Sequence, residues 1–193
     1  MKPLTVQDLL SRDEYERRRN DLRRRVIELK ENRRIAVGDL VTLVFENRDT
    51  ILFQVQEMIR AEHIVAAERI REEVETYNEQ IPGPGELSAT LFIEITESTN
   101  VKQILDRFQG IDQGHTVALQ LGNEKVYGAF EQGRAKEDKI SAVHYVRFCL
   151  PGSAQRQLGK LDVPMDIAIL HSGYEAHTAV PDKMRMALLQ DLD

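Results

Sequence analysis

The sequence predicts an α+β fold, with a helical N-terminal part followed by a largely antiparallel sheet that carries helices on one face. Up to residue 81 the apolar residues recur mainly with the 3.6-residue period of helices, whereas after residue 86 they mostly alternate with polar residues. Most of the later strand segments follow one another through short turns, which is typical of antiparallel pairing. With 193 residues, 41% hydrophobic and 30% charged, the chain has a globular composition and enough length for a substantial core.

Four helices and one hairpin are predicted in the N-terminal part. Thr5, with Asp8 three residues later, forms a capping box for a short first helix. The other elements are helices at 13–32, 47–62 and 66–80 and a hairpin at 34–45. Apolar residues of the 47–62 helix cover more than one face, so we expect this helix to be buried on most sides.

The Pro-Gly-Pro-Gly segment at 82–85 interrupts this pattern and is the only candidate domain boundary. One interpretation has two domains, 1–81 and 86–193, and the other has a single compact domain. After the segment we expect the order strand, helix, three strands, helix, two strands, helix. The strands are predicted at 87–95, 116–121, 124–130, 140–150, 165–170 and 174–180, and the helices at 98–110 (capped by Ser98 or Thr99), 151–159 and 181–190.

Cysteine use and the start of the chain indicate a cytoplasmic protein. Cys149 is the single cysteine, so the chain forms no internal disulfide and cannot by itself supply an iron-sulfur cluster. We interpret it as an inert packing residue in an apolar strand. The first residues lack the apolar core of a signal peptide, and no run approaches the roughly 18 apolar residues of a membrane helix. We expect no membrane insertion, and homo-oligomerisation stays open.

Charge is divided unevenly between the two ends. Residues 1–34 hold 11 Lys plus Arg and 7 Asp plus Glu, a net charge of +4, which leaves −10 for residues 35–193. The arginines between Arg17 and Arg25 resemble a phosphate-binding face. However, Asp13, Glu14 and Asp21 each precede an arginine by four residues, the spacing of ion pairs along an exposed helix. We therefore favour a solvated helix face that docks on the acidic remainder over nucleic-acid binding.

The histidines and the known enzyme motifs assign no active site. None of the five histidines has zinc-protease or di-iron spacing, and the chain has no G-x-S-x-G elbow, phosphate-binding loop or dinucleotide fingerprint. His144 shares an apolar strand face, which is typical of a hydrogen-bonded core histidine. If Ser172 and Gly173 form a two-residue turn, alternation sends His171 and His177 to opposite faces, whereas a three-residue loop would reverse this.

The most unusual local chemistry surrounds the apolar helix at 47–62. Burial of this helix would force its polar groups to find partners, because an unpaired buried charge is costly. Arg48 paired with Glu57, Glu86 or Glu94 would form a structural network, which we favour. The alternative is a pocket whose carboxylates act as acid, base or hard-metal ligands. The candidate binding residues are Glu46, Arg48, Asp49, Gln54, Glu57, Glu86, Glu94 and His144.

Three strings carry a resemblance to a known family: TLVFENRDTILFQVQEM at 42–58, IPGPGELSATLFIE at 81–94 and VHYVRF at 143–148. They resemble an uncharacterised bacterial domain-of-unknown-function family, number thirty-five-oh-one, over nearly the whole chain. His177 departs from that family's pattern, which is poorer in histidine there. The resemblance implies a redox context, since similar proteins are encoded beside rubrerythrin-like and heterodisulfide-reductase-like iron-sulfur proteins.

Three functional hypotheses follow. The first is a non-catalytic accessory protein that docks to a redox or iron-sulfur partner. The second is a metal-dependent enzyme or metal-binding protein that uses Glu46, Glu57, Glu94 or His144, although no metal, cofactor or substrate is assigned. The third is nucleic-acid binding through the helix that carries Arg17 to Arg25.

Overall fold

The computed structural model describes residues 1–95, 100–131 and 141–192 and confirms the α+β prediction. None of the helices in these ranges has the length and apolar content needed to cross a bilayer. The helices are α1 (Arg12–Glu31), α2 (Arg48–Ala61), α3 (Ala67–Asn78), α4 (Val101–Asp106), α5 (Gly152–Leu158) and α6 (Asp182–Leu189), with short 3₁₀ helices at Val6–Asp8 and Gln190–Leu192. The strands are β1 (Arg34–Val37), β2 (Val41–Glu46), β3 (Glu86–Ile93), β4 (Val117–Leu121), β5 (Glu124–Tyr127), β6 (Ala129–Phe130), β7 (Val143–Cys149), β8 (Met165–His171) and β9 (Tyr174–Ala179).

The strands form two antiparallel sheets instead of the single sheet that the sequence predicts. The first sheet has the order β1-β2-β3-β7-β6 and the second the order β5-β4-β8-β9. The segment 124–130, predicted as one strand, divides at Gly128 into strands that join different sheets. A Cβ at Gly128 would overlap the side chains of Val146 and Phe148, so glycine lets the chain cross closely over β7.

The main core lies between the two sheets. Alternate residues of each strand point inward, as the two-residue period of a strand requires. Phe45 of the first sheet stacks on Phe148 with ring centroids 6.2 Å apart, and Leu119 and Ile167 of the second sheet are fully buried. Helices α5 and α6 add further apolar side chains to this sandwich core.

The outer face of the first sheet is polar but covered. Thr42, Glu46, Ser88 and Thr90 are all buried on this face, which is why every residue of β2 is buried. On this face, Lys30 of α1 and Gln54 of α2 approach Glu46. The helices build a small cluster of their own, here called the helical cluster, which contains Leu4, Ile51, Val55, Val74 and Ile81.

Both sides of the 82–85 segment contribute to one sheet. Strand β2, which precedes the segment, pairs along its length with β3, which follows it, from Val41 opposite Ile93 to Glu46 opposite Ser88. The sheet is therefore continuous across the candidate boundary. The division into 1–81 and 86–193 remains a sequence-based prediction.

A buried ion pair ties the end of the chain to the first sheet. Arg33, next to β1, and Asp191 are each 2% exposed, and Arg33 Nη2 donates to Asp191 Oδ1 over 2.9 Å. Burial raises the pKa of Asp191, and the Arg33 guanidinium opposes that rise. Removal of either partner would leave the other charge buried and unpaired.

Several local predictions are confirmed. Thr5 and Asp8 form the capping box, although the helix they start is a 3₁₀ turn. The hairpin of β8 and β9 has the two-residue turn, with His171 opposite Tyr174, and places His171 and His177 on opposite faces. The predicted caps Ser98 and Thr99 lie outside the described residues.

One burial prediction holds in part and another is wrong. Helix α2 buries Ile51 and Val55 but leaves Leu52 and Phe53 only half-buried, because no element of the described chain covers that side completely. Cys149 is exposed instead of packed, since strand alternation directs it away from the sandwich core.

Candidate functional site

Glu46 and Gln54 are the predicted site residues that the structure brings together. Glu46 ends β2 and is 2% exposed, and its Oε1 accepts hydrogen bonds from Gln54 Nε2 over 3.1 Å and from Thr90 Oγ1 over 2.8 Å. Its Oε2 has no hydrogen-bond partner among the described residues, and Lys30 Nζ lies 4.0 Å away. These contacts attach α1 and α2 to the first sheet.

Arg48 does not join the predicted network. Its Nη2 lies 2.6 Å from Asp8 Oδ1, so Arg48 pairs with the N-terminal turn instead of with Glu57, Glu86 or Glu94. The Thr5 amide and Arg48 together hold the pKa of Asp8 down at about 2. Asp49 is exposed at the start of α2, where its charge suits the helix dipole. The cap of this helix is Asn47, whose Oδ1 accepts from the amides of Asp49 and Thr50.

Glu57 links α1 to α2. It accepts two hydrogen bonds from Arg19, each 2.7 Å long, and a third of 2.7 Å from the Tyr15 hydroxyl. The Arg19 contact, with help from Tyr15, lowers the pKa of Glu57 against the effect of its partial burial. Burial and Glu57 in turn raise the pKa of Tyr15. This carboxylate is therefore committed to holding two helices together.

Glu86 and Glu94 each belong to a separate ion pair. Glu86 Oε2 accepts hydrogen bonds from Arg147 over 2.6 Å and from the Gly83 amide over 2.9 Å. Partial burial alone would raise the pKa of Glu86, but these hydrogen bonds outweigh it and the pKa is lowered. Its other oxygen accepts from the Cys149 thiol over 3.4 Å, and burial together with Glu86 raises the pKa of that thiol. Thr42, over 2.7 Å, and Arg34 hold the pKa of Glu94 low.

His144 lies on the opposite face of the sheet from Glu46. It is 4% exposed, its Nε2 is 2.8 Å from the Ser141 carbonyl oxygen, and burial lowers its pKa. The prediction of a hydrogen-bonded core histidine is confirmed. Within residues 1–95, 100–131 and 141–192, no group of three or more His, Cys, Asp or Glu side chains is placed to hold a metal ion.

An apolar groove lies between α1 and α2, here called the α1–α2 groove, and has a volume of about 460 Å³. Its size is within the range of roughly 300–1,000 Å³ typical of binding pockets. Its apolar walls are formed by Leu10, Leu22, Val26, Leu29, Leu52 and Phe53. Its charged lining residues are Asp8, Arg18, Arg25 and Asp49.

The groove exists because α1 is only lightly packed. Of its residues only Tyr15 is buried, while Leu22, Val26 and Leu29 are half-buried and Ile27 is 52% exposed. Ion pairs at the N-terminal half, such as Arg19 with Glu57 and Arg60 with Glu16, hold α1 against α2. The apolar stripe beyond them therefore faces a gap that α2 fills only in part.

The ion pairs formed by the arginines of α1 differ in part from those predicted. Arg18 pairs with Glu14 as predicted, at 3.2 Å, but Asp21 pairs with Arg24 instead of Arg25. Arg25, in the groove lining, has no ion-pair partner within the described ranges. Residues 17–25 contain six arginines and one aspartate, so this stretch carries a net charge of +5 beside the apolar walls.

A second depression of about 480 Å³ adjoins the start of α1. Apolar residues from the first turn, the end of α2 and the start of α3 line it, including Ile59, Ile64 and Val65, the last of which is 76% exposed. His63 lies just after α2 with a φ of 54°, and the Ile64 amide donates back to the Ile59 carbonyl. The helical side of the molecule thus carries two neighbouring apolar openings.

The α1–α2 groove was not among the candidate sites predicted from the sequence. The available signal was the excess of apolar residues on α2. Leu52 and Phe53 lie on a different face of α2 from Ile51 and Val55. A helix with two apolar faces must either be surrounded by other elements or leave one of those faces partly exposed.

Comparison with known proteins agrees with the fold and with the resemblance of the sequence. The crystal structure of a novel protein of unknown function from Burkholderia pseudomallei K96243 has a TM-score of 0.90 and 31% identity to this chain, and the comparison covers 100% of both chains. No curated protein matches the sequence. A family profile matches residues 3–192. The chain therefore belongs to the family described as protein of unknown function (DUF3501).

Proposed function

We propose that this chain is a non-catalytic accessory protein that docks a partner protein in the α1–α2 groove. The observation that carries the proposal is the half-buried stripe of Leu22, Val26 and Leu29, which faces Leu52 and Phe53 across an open gap. Apolar surface left in water costs free energy, about 25 cal/mol per Å², which a partner recovers by covering it. Contiguous exposed apolar surface with a polar rim is typical of protein-binding sites.

The candidate catalytic side chains support the same interpretation. Glu57, Glu86 and Glu94 each face a different arginine, which gives each carboxylate a structural role. Lowered pKa values keep these carboxylates ionised near neutral pH, whereas a general acid or base works best with a pKa near the working pH. These contacts hold α1 to α2 and join segments of the first sheet to one another.

The proposed partner is a cytoplasmic redox protein of the rubrerythrin-like or other iron-sulfur class. This part of the proposal rests on the family resemblance and its implied redox context. An iron-sulfur cluster needs several cysteine ligands, and this chain has Cys149 alone, so the cluster would belong to the partner. To dock on such a protein, this chain needs a complementary surface and does not need a cofactor of its own.

Anaerobic binding of the purified full chain to a rubrerythrin-like protein from the same organism tests the proposal. Isothermal titration should give a micromolar or tighter complex, and Val26→Asp should weaken it at least tenfold because the new carboxylate lies in an apolar contact. Ile27→Asp, on the outer side of the same helix, is the matched control and should leave affinity unchanged. Equal binding by all three proteins, or no complex, would contradict the proposal.

A further inference from the structure

We infer that the occupant of the α1–α2 groove is a single amphipathic helix with acidic residues flanking its apolar stripe. The inference rests on the proposed docking function and adds the chemical class of the segment that binds. The shape of the walls and the charge of the lining lead to it independently.

The shape comes from two antiparallel helices. Tyr15 near the start of α1 meets Glu57 late in α2, whereas Lys30 at the end of α1 approaches Glu46, just before α2. The two helices therefore run alongside each other and leave a lengthwise furrow. Leu22, Val26 and Leu29 recur at intervals of four and three residues, one per turn, so they form a straight wall. A third helix with the same spacing would place its apolar residues along that wall, as in helix-in-groove recognition.

The charge of the lining favours an acidic flank. Arg25 has no ion-pair partner in the described ranges. Arg18 pairs with Glu14, but the two side chains are 51% and 41% exposed, so solvent weakens this pair. Asp8, the carboxylate on this lining nearest the N-terminus, is already neutralised by Arg48. Only Asp49, among the described lining residues, is an unpaired acid. An occupant should therefore present Asp or Glu toward Arg18 and Arg25 and a neutral or basic residue toward Asp49.

Charge also argues against a second copy of the chain. An antiparallel pair of α1 helices from two molecules would bring Arg23, Arg24 and Arg25 close to their own counterparts near the symmetry axis. Like charges brought together in this way oppose association. The basic band of residues 17–25 thus favours a partner of opposite charge.

The apolar walls argue against nucleic acid. Phosphate recognition uses cations and backbone amides and gains nothing from aliphatic side chains. The large hydrophobic lining contributed by Leu52 and Phe53 would be left uncovered by a duplex. A peptide helix covers these side chains and meets the arginines at once.

Fluorescence anisotropy with a designed peptide tests the inference on the full-length chain. The probe is a fluorescein-labelled helix of about 20 residues, long enough to span the groove, with Leu at heptad core positions, Glu at the flanking positions and Ala elsewhere. We expect binding in the micromolar range that weakens with salt. Val26→Asp should reduce affinity about tenfold or more. Arg25→Glu should reduce affinity several-fold and flatten the salt dependence, and Ile27→Asp should change neither.

Two control peptides and two competing ligands complete the test. A peptide with Lys in place of Glu and a scrambled peptide of the same composition should bind much more weakly. Equal binding of either peptide, or no binding of the acidic helix up to about 200 μM, well above the dissociation constants of specific complexes, overturns the inference. Tighter binding of a DNA duplex overturns it in favour of nucleic acid. A chain dimer that Val26→Asp dissociates, seen by sedimentation, overturns it in favour of a second copy.

The failure of this inference is distinguishable from failure of the proposed function. If a rubrerythrin-like protein binds and Val26→Asp weakens that complex while the acidic helix does not bind, docking stands and the assigned occupant is wrong. If the acidic helix binds with the predicted variant pattern and the redox protein does not, the occupant is right and the proposed partner is wrong.

Discussion

The β-sandwich and the helical side of this molecule bury their side chains in different ways. Among the described residues, 27 buried apolar side chains form the sandwich core, whereas the helical cluster contains five. In the sandwich, two sheets close over each other and strand alternation directs every second residue inward. On the helical side, ion pairs hold the N-terminal half of α1 against α2, and an open groove lies between the two helices.

This difference assigns different tasks to the two regions. A closed core maximises the apolar area removed from water and supplies most of the stability. A half-covered helix pair contributes less stability but keeps an apolar surface available to a partner. The outer face of the first sheet connects the two regions, because Glu46 accepts hydrogen bonds from Gln54 of α2 and from Thr90 of β3.

The largest expected difference comes from one substitution made in each region. Ile167 in the sandwich and Ile51 in the helical cluster are both fully buried, so the same truncation to alanine removes the same atoms. Ile167→Ala should lower the free energy of unfolding by about 4 kcal/mol and Ile51→Ala by about 2 kcal/mol, because a small cluster relaxes around a cavity more readily. Urea denaturation measures both values. Equal costs would remove the distinction between the regions.

The buried ion pair should have the next largest effect. Arg33→Met leaves Asp191 buried without its cation and should lower the free energy of unfolding by about 3 kcal/mol. A double variant, Arg33→Met with Asp191→Leu, should recover much of the loss, since neither position then carries a buried charge. Thermal or urea unfolding gives the values. A single variant as stable as the wild type would show that the pair does not fix the C-terminus.

A smaller, pH-dependent effect is expected on the helical side. Glu57→Gln weakens the contact with Arg19 and Tyr15 and should cost about 1 kcal/mol at neutral pH, a modest value because the pair is partly exposed. The pKa of Glu57 is lower in the folded state, so its contribution is complete above the unfolded value of about 4.3 and is lost as the pH falls through the folded value. The difference between variant and wild type should therefore shrink in acid. A difference that grew in acid would contradict the assignment.

The smallest effect on stability is expected in the groove itself. Val26→Asp replaces a half-buried side chain that α2 covers only in part, so the free energy of unfolding should change by less than about 1 kcal/mol. Circular dichroism during urea unfolding measures it, with Ile27→Asp as the matched exposed control. A loss near that of Ile167→Ala would show that Val26 belongs to the core and that the groove is closed in solution.

Local signals in the sequence predicted most elements of the fold. The capping box at Thr5 and Asp8, the two-residue turn between β8 and β9 and the alternation of β3 depend on neighbours within a few residues. The division into two sheets at Gly128 was not predictable in this way. It depends on the approach of Val146 and Phe148, which come from a strand later in the chain.

The candidate site shows the same limit. The sequence identified Glu57 and Arg48 as residues that need partners, but the predicted pairing of Arg48 with Glu57, Glu86 or Glu94 was wrong. Arg19 is 38 positions from Glu57, and only the antiparallel packing of α1 on α2 brings the two together. The groove was not predicted for a related reason. The sequence pattern of an apolar stripe is the same whether a neighbouring helix covers the stripe fully or in part.

Hydrogen-deuterium exchange of the full chain, with and without the acidic amphipathic helix, tests most directly whether the α1–α2 groove is the docking surface. At saturating peptide, we predict slower exchange in α1 and α2, together with unchanged exchange in β4, β8 and β9 of the sandwich. Protection confined to the sandwich, or no protection of α1 in a complex that anisotropy shows to be formed, would contradict the account.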